Sequence, residues 1–153
     1  MSLTIQTRLR TIGVDHPPYM IAEIGLNHNG ELELARRMVY AAADAGADAA
    51  KFQLFDSDAF LNGAAALGDG GPGSLREFFR TFELKADEWR ALAAHCRERE
   101  IDFFCAVFDE PSIELYRSLE AELVKLASCD VNNRILLEQI ARESWTPVYS
   151  TGT

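Results

Sequence analysis

Short apolar runs alternate with amphipathic stretches along most of the 153-residue chain. The runs have strand length and predict strands over 19–25, 49–54, 101–108, 123–127 and 147–150. Between the first two runs, Leu34, Met38 and Ala45 recur at helical spacing. Strands that alternate with helices predict a parallel sheet with right-handed crossovers. Two α/β architectures fit this pattern: an open doubly wound sheet, or parallel (β/α) units of a TIM barrel truncated to roughly its first five strands.

Polar residues that cap helices mark several boundaries. We expect Asn29 to cap the first helix and Gly46 to end it. Asp109 is expected to cap the helix after the third strand, and Asn132 or Asn133 the helix after the fourth. Two further helices are predicted over 74–82 and 87–99, and a glycine-rich loop over 56–73.

Composition and charge exclude several classes of protein. The net charge of -9 argues against a nucleic-acid partner, because binding a phosphate backbone needs a basic surface. No apolar stretch approaches the roughly 20 residues of a membrane helix, and the first residues do not resemble a signal peptide. Cys96, Cys105 and Cys129 form no CxxC pair, so we expect free thiols and a cytoplasmic location.

Three charged residues lie inside apolar runs, which is unusual for core strands. They are Glu23, Lys51 and Lys125, and burying such groups is costly unless they are paired or used. A single charged residue at a strand end is most often exposed, but these three fall at equivalent places in the repeat. Lys51 and Gln53 are two residues apart and therefore point to the same face of their strand.

The ends of the last two strands add polar groups to the same region. Ser128 and Asp130 follow the fourth strand, and Ser150 ends the fifth. The working residues of parallel α/β folds lie at the carboxyl ends of their strands. Two lysines with serine hydroxyls suit a phosphate and a carboxylate, so the pattern predicts a site for a small anion. No two histidines have metal-ligand spacing, and His28 is interpreted as a hydrogen-bonding loop residue.

Four segments resemble motifs of the N-acetylneuraminate (sialic acid) synthase family, in the family's order and spacing. They are 21–30 (IAEIGLNHNG), 45–53 (AGADAAKFQ), 125–128 (KLAS) and 150–152 (STG). The resemblance extends along nearly the whole chain from about residue 12. It implies that 1–153 is the N-terminal portion of a TIM barrel, without the later strands and the C-terminal antifreeze-like domain of the family.

The resemblance also implies a reaction. Family members condense phosphoenolpyruvate with an N-acetylated hexosamine such as N-acetylmannosamine, through carbon C3 of phosphoenolpyruvate, and release phosphate. A divalent metal, manganese or magnesium, polarises the sugar aldehyde. Its histidine ligands belong to later strands, so no metal-binding residue is assigned in this chain. Carried over by motif position, Glu23 acts near C2 of phosphoenolpyruvate and the remaining residues bind substrate. Phosphoenolpyruvate is assigned Lys51, Gln53, Lys125, Ser128 and Ser150, and the sugar is assigned Gln53 and Asp130.

Two departures from the family pattern bear on these assignments. Cys129-Asp130 stands where the family usually has Gly-Glu, and the shorter carboxylate is expected to change sugar binding. Ala106-Val107-Phe108 stands where the family has Thr-Pro-Phe, which removes a hydroxyl near the phosphate.

The predicted half-barrel is compatible with three hypotheses about the function of this chain. Half a barrel has two open strand edges, so we expect a homodimer or a piece of a longer protein. The main hypothesis is therefore the catalytic half of a synthase. The alternative hypotheses are a non-catalytic half-barrel that binds an anion or a partner, and a flavodoxin-like domain unrelated to sugars.

Overall fold

The computed structural model describes residues 4–61 and 73–152. A hairpin of two short strands, β1 (Ile5–Gln6) and β2 (Thr11–Ile12), precedes a five-stranded parallel sheet. The sheet consists of β3 (Ile21–Gly25), β4 (Ala49–Leu54), β5 (Asp102–Val107), β6 (Leu123–Leu126) and β7 (Thr146–Tyr149).

The spatial order of the five parallel strands is the same as their order along the chain. A doubly wound sheet reverses its strand order at a switch point, and this sheet does not. The prediction of a barrel segment is therefore confirmed, and the flavodoxin-like alternative is wrong. Strands β3 and β7 form the two edges of the sheet, as expected for half a barrel. The homodimer stays a prediction.

Helices connect the strands. They are α1 (Leu32–Asp44), α2 (Ser57–Phe60), α3 (Leu75–Arg80), α4 (Ala86–Glu98), α5 (Glu110–Arg117) and α6 (Arg134–Ile140), with one 3₁₀ turn at Ser128–Asp130. All five predicted helices are present, as α1, α3, α4, α5 and α6, with ends shifted by a few residues. Helix α2 lies inside the segment predicted to be a loop, and most of that segment's glycines lie outside the described residues.

The caps predicted for two helices are confirmed. Asp109 accepts a hydrogen bond from the backbone N–H of Ser112, and Asn133 accepts one from Leu136. Gly46, with a φ of 83°, ends α1 as expected.

The predicted cap of the first helix is wrong. Asn29 has a φ of 52°, in the left-handed region, whereas a capping residue needs extended backbone. A tight turn over 28–30 delays the start of α1, so Glu31 is its N-terminal flanking residue and makes no side-chain cap.

The two faces of the sheet have different surroundings. Phe52 and Phe103 pack against Trp89 of α4, with ring centroids 6.0 and 6.4 Å apart, so their side chains belong to the helix-covered outer face. Alternation along a strand then places Lys51 and Phe104 on the inner face. The outer face carries the main apolar core, and the inner face carries the charged residues that the sequence singled out.

The N-terminal hairpin covers the amino-terminal end of the sheet, a feature that the sequence analysis did not predict. The Thr7 and Tyr19 hydroxyls both donate to Oδ2 of Asp102, each at 2.6 Å, and the Tyr19 pKa is raised by burial and by this carboxylate. Arg10 pairs with Asp48 at 2.8 Å. These acids stand at the starts of β4 and β5, so the hairpin closes the end opposite the proposed site.

Among the residues described, none of the helices has both the length and the apolar character needed to cross a membrane.

We predict that Tyr19→Phe lowers the free energy of unfolding by about 1.5–3 kcal/mol, because it removes a hydrogen bond to a carboxylate. Urea denaturation measures the change. Tyr149→Phe is the matched control, since Tyr149 is half-exposed, and it should leave stability unchanged. Equal stability of the two variants would contradict a structural role for the Asp102 network.

Candidate functional site

The first feature of the site is an ion pair across two neighbouring strands. Glu23 and Lys51 lie opposite each other in the register of β3 and β4, and Lys51 Nζ is 2.5 Å from Glu23 Oε2. The Lys51 side chain is 11% exposed, whereas that of Glu23 is 56% exposed. The carboxylate therefore compensates an enclosed ammonium group and is itself open to a ligand.

Gly25 lies beside the side chains of both Glu23 and Gln53. Gly25 has a φ of 56° and follows an irregularity in the pairing of β3 with β4. A Cβ atom built on Gly25 would lie 3.4 Å from Glu23 Oε1 and 3.7 Å from Gln53 Nε2. The structure thus brings together Glu23, Lys51 and Gln53, three of the residues that the sequence predicted.

Lys125 belongs to the same electrostatic environment. It lies opposite Ala106 of β5 and Val148 of β7, and its ammonium donates to the Leu126 carbonyl. Burial lowers the Lys125 pKa, and the positive charge of Lys51 lowers it further. Two mutually repelling ammonium groups on one face are stabilised by a bound anion, which is what the sequence analysis predicted for this place.

The loops after β6 and β7 carry the other predicted residues. Ser128 is exposed in the 3₁₀ turn, and the Ser150 backbone N–H donates to the Leu126 carbonyl at 3.1 Å. Asp130 bonds to groups of its own loop rather than to the lysines. The structure therefore places these three residues at adjoining strand ends without joining them to the Glu23–Lys51 pair.

His28 stabilises the loop that follows Glu23. Its side chain is fully buried, with ring centroids 6.1 Å from those of Phe52 and Trp89. Nδ1 accepts a hydrogen bond from the Gly30 N–H at 3.2 Å, which confirms the interpretation of His28 as a hydrogen-bonding residue. Burial lowers the His28 pKa, so the ring is neutral at physiological pH.

Gly30 fixes the same loop against the turn before α4. A Cβ atom on Gly30 would lie 2.3 Å from the backbone oxygen of Thr81, and the φ of 73° also disfavours other residues. The conformation of this turn is therefore set by close backbone approach.

Asp109 joins two loops at the carboxyl end of the sheet. Besides capping α5, it accepts a hydrogen bond at 2.9 Å from the Asp56 N–H in the loop after β4. Burial raises its pKa. The sequence predicted Asp109 as a helix cap. Its bond to Asp56 could not be predicted from local sequence, because the two residues are 53 positions apart along the chain.

The described residues do not form a metal centre. Within 4–61 and 73–152, no group of three or more histidine, cysteine, aspartate or glutamate side chains is arranged to hold a metal ion.

Comparison with known proteins identifies a family. The model of the NeuB family matches residues 38–153. The chain is 36% identical over 145 residues to the spore coat polysaccharide biosynthesis protein SpsE of Bacillus subtilis, covering 93% of this chain and 39% of that protein. It is 34% identical over 148 residues to the human N-acetylneuraminate-9-phosphate synthase, covering 94% of this chain and 41% of the enzyme.

A solved structure shows the same fold. The N-acetylneuraminic acid synthetase of Leptospira borgpetersenii, in complex with citrate, superposes with a TM-score of 0.86 at 35% identity. The superposition covers all of this chain and 51% of the other. The chain thus spans about two fifths of the length of these two curated relatives and about half of the solved chain.

We predict that acid destabilises the fold through His28. Below about pH 6.5 the unfolded chain takes up a proton that the buried ring does not, so the free energy of unfolding falls as the pH falls. The slope contributed by one group is at most about 1.4 kcal/mol per pH unit. Urea denaturation of the wild type and of His28→Gln between pH 5 and 8 measures it.

His28→Gln should lose this part of the dependence of unfolding free energy on pH. His16→Gln, a change at an exposed position, should keep it. Parallel stability curves for His28→Gln and the wild type would contradict the assignment.

Proposed function

Because the chain belongs to the NeuB family, we propose that it supplies the phosphoenolpyruvate-binding half of a synthase active site. The whole enzyme condenses phosphoenolpyruvate with an N-acetylated hexosamine of the N-acetylmannosamine type and forms a nonulosonic (sialic) acid and phosphate. The observation that carries the proposal is the convergence of Lys51 and Lys125 on one face, beside the exposed carboxylate of Glu23.

Phosphoenolpyruvate carries a phosphate and a carboxylate, and the inner face offers two cations. Lys51 and Lys125 bind these anionic groups, with hydroxyls of Ser128 and Ser150 at the neighbouring strand ends as further donors. Gln53 has an amide beside Glu23 and contacts the substrates between the two strands. Bound anion relieves the repulsion between the two ammonium groups, so the lysine pair favours a ligand of high negative charge.

Glu23 acts at carbon C2. In the condensation, the electron pair of the C2–C3 double bond of phosphoenolpyruvate bonds C3 to the sugar aldehyde carbon. The aldehyde C=O π bond opens to an alkoxide that takes up a proton, and C2 becomes electron-poor. Water adds to C2 and gives up a proton, which the exposed Glu23 carboxylate accepts. The tetrahedral intermediate then collapses to the 2-keto acid: the C2 hydroxyl gives up its proton and forms the carbonyl, the C2–O bond to phosphate breaks, and the phosphate leaves with the electron pair and the proton. Lys51 stabilises the negative charge on the departing phosphate.

The acceptor sugar binds beside the 3₁₀ turn that follows β6, where the Asp130 carboxylate accepts hydrogen bonds from sugar hydroxyls. Aspartate reaches less far than glutamate, so the sugar contact is expected to depend closely on where the carboxylate is held.

The divalent metal that the family resemblance implies, manganese or magnesium, would polarise the sugar aldehyde. The described residues do not supply a ligand set for it, and every step above uses side chains of this chain.

Binding without turnover is the second candidate, favoured by the observation that Lys51 and Lys125 share one face whereas Asp130, the proposed sugar contact, bonds within its own loop. Release of phosphate on mixing the protein with phosphoenolpyruvate, N-acetylmannosamine and manganese would exclude the second candidate. We expect phosphoenolpyruvate to bind to this chain and no phosphate to be released without the remainder of the barrel.

We predict that Lys51→Met and Lys125→Met each weaken phosphoenolpyruvate binding by about tenfold or more. Each change removes a charge-assisted contact of about 1.5–3 kcal/mol, and 1.4 kcal/mol corresponds to a factor of ten. Isothermal titration calorimetry measures the affinities. Lys85→Met, which changes an exposed lysine before α4, is the matched control and should bind as the wild type does. Equal affinities in all four proteins would exclude the site.

We further predict that phosphoenolpyruvate binding takes up protons in the alkaline range. Free Lys125 has a lowered pKa, and a bound anion favours its charged form, so the pKa rises on binding. Calorimetry in buffers of different ionisation enthalpy measures this uptake. Lys125→Arg retains the charge and keeps its proton, so the uptake should shrink while binding persists. An unchanged uptake would contradict the role of Lys125.

A further inference from the structure

We propose that Asn133 is a positioning residue for the acceptor sugar, because it caps α6 and at the same time holds the carboxylate of Asp130 in place. The inference rests on the proposed function, which assigns the sugar to Asp130. It names a residue outside the four sequence motifs, and it explains how a short carboxylate is oriented.

The two ends of the Asn133 amide have separate partners. Its Oδ1 accepts a hydrogen bond from the Leu136 N–H at 3.3 Å, which caps α6. Its Nδ2 donates to Asp130 Oδ1 at 3.2 Å. Because the helix N-terminus requires the oxygen, the amide orientation is fixed and the nitrogen must point away from the helix.

The Asp130 carboxylate is held at both of its oxygens. Oδ2 accepts a hydrogen bond from the Cys129 thiol at 3.3 Å, while Oδ1 accepts the one from Asn133. The backbone N–H of Asn133 also donates to the Asp130 carbonyl at 2.9 Å, which closes the turn between the 3₁₀ segment and α6. Asp130 thus has little rotational freedom, although part of its side chain is accessible.

This arrangement has two consequences for binding. A carboxylate that is already oriented loses less conformational entropy when a sugar hydroxyl bonds to it. Cys129 and Asn133, which donate to the Asp130 carboxylate, also keep its negative charge within their own loop. The carboxylate therefore does not neutralise Lys51 and Lys125, which the anion needs. The sugar contact and the anion contact can therefore be weakened separately.

The test uses Asn133→Asp with Asn132→Asp as its matched control. Aspartate caps a helix as well as asparagine does, but it cannot donate to Asp130 and it repels that carboxylate. Asn132→Asp adds the same charge at the adjacent exposed position. Thermal unfolding should show one cooperative transition in both variants, with the loss of stability in Asn133→Asp limited because Asp130 is accessible to water.

Calorimetry with phosphoenolpyruvate, and then with N-acetylmannosamine in the presence of phosphoenolpyruvate, gives the decisive comparison. We expect Asn133→Asp to weaken sugar binding about tenfold and Asn132→Asp less than twofold, while both bind phosphoenolpyruvate within twofold of the wild type. Equal sugar affinity in both variants, or a wild type that binds phosphoenolpyruvate but no sugar, would overturn the inference and leave the anion site standing. A wild type that does not bind phosphoenolpyruvate would overturn the proposed function, and the inference with it.

Alkylation of Cys129 by iodoacetamide is an independent readout. Cys96 and Cys105 are buried and Cys129 is exposed, so the reagent reports on the Asp130 loop. Sugar bound at Asp130 should slow alkylation in the wild type and do so less in Asn133→Asp. Equal protection in the two proteins would contradict the inference.

Discussion

The enclosed ammonium group of Lys51 is the constraint on which the inner face of this sheet depends. A charge that is 11% exposed is costly unless a partner lies within reach, and Glu23 on the neighbouring strand is that partner. The pairing specifies the register of β3 against β4, since a slip of one residue would turn Lys51 toward the apolar ring of Trp89. The interaction that makes the lysine tolerable thus also places a carboxylate at the open side of the site.

The difference between the outer and inner faces of the sheet also determines where the charged side chains lie. On the outer surface, arginines lie in local ion pairs, such as Arg90 with Asp87 and Arg134 with Glu138. These pairs are exposed and contribute little to stability, but they leave few unbalanced cations there. Lys125 instead repels Lys51 on the inner face. In a chain with a net charge of -9, the proposed anion site therefore depends on the local charge of Lys51 and Lys125 and not on the net charge.

The features that were predicted from sequence depend on local rules, and those that were missed depend on contacts between distant segments. Alternation along β4 placed Lys51 and Gln53 on one face, and the charged residues within apolar runs indicated the candidate site. The left-handed Asn29 escaped prediction because it results from the close packing of Gly30 on Thr81. The hairpin strands are two residues each, too short for any periodicity, and the hairpin is held to the sheet by the bond from Thr7, between its strands, to Asp102.

The helix caps show how these two kinds of information meet. In a (β/α) unit the helix begins just after the strand end where the site lies, so its capping residue is next to the site. Asp109 caps α5 and also receives the Asp56 N–H from the preceding loop, and Asn133 caps α6 and also donates to Asp130. A capping side chain with a second polar atom can thus orient a neighbouring loop without any change in the helix that it caps. Sequence identifies the cap, but only the fold shows which second group it holds, and for Asn133 that group is Asp130, which contacts the sugar in the proposed function.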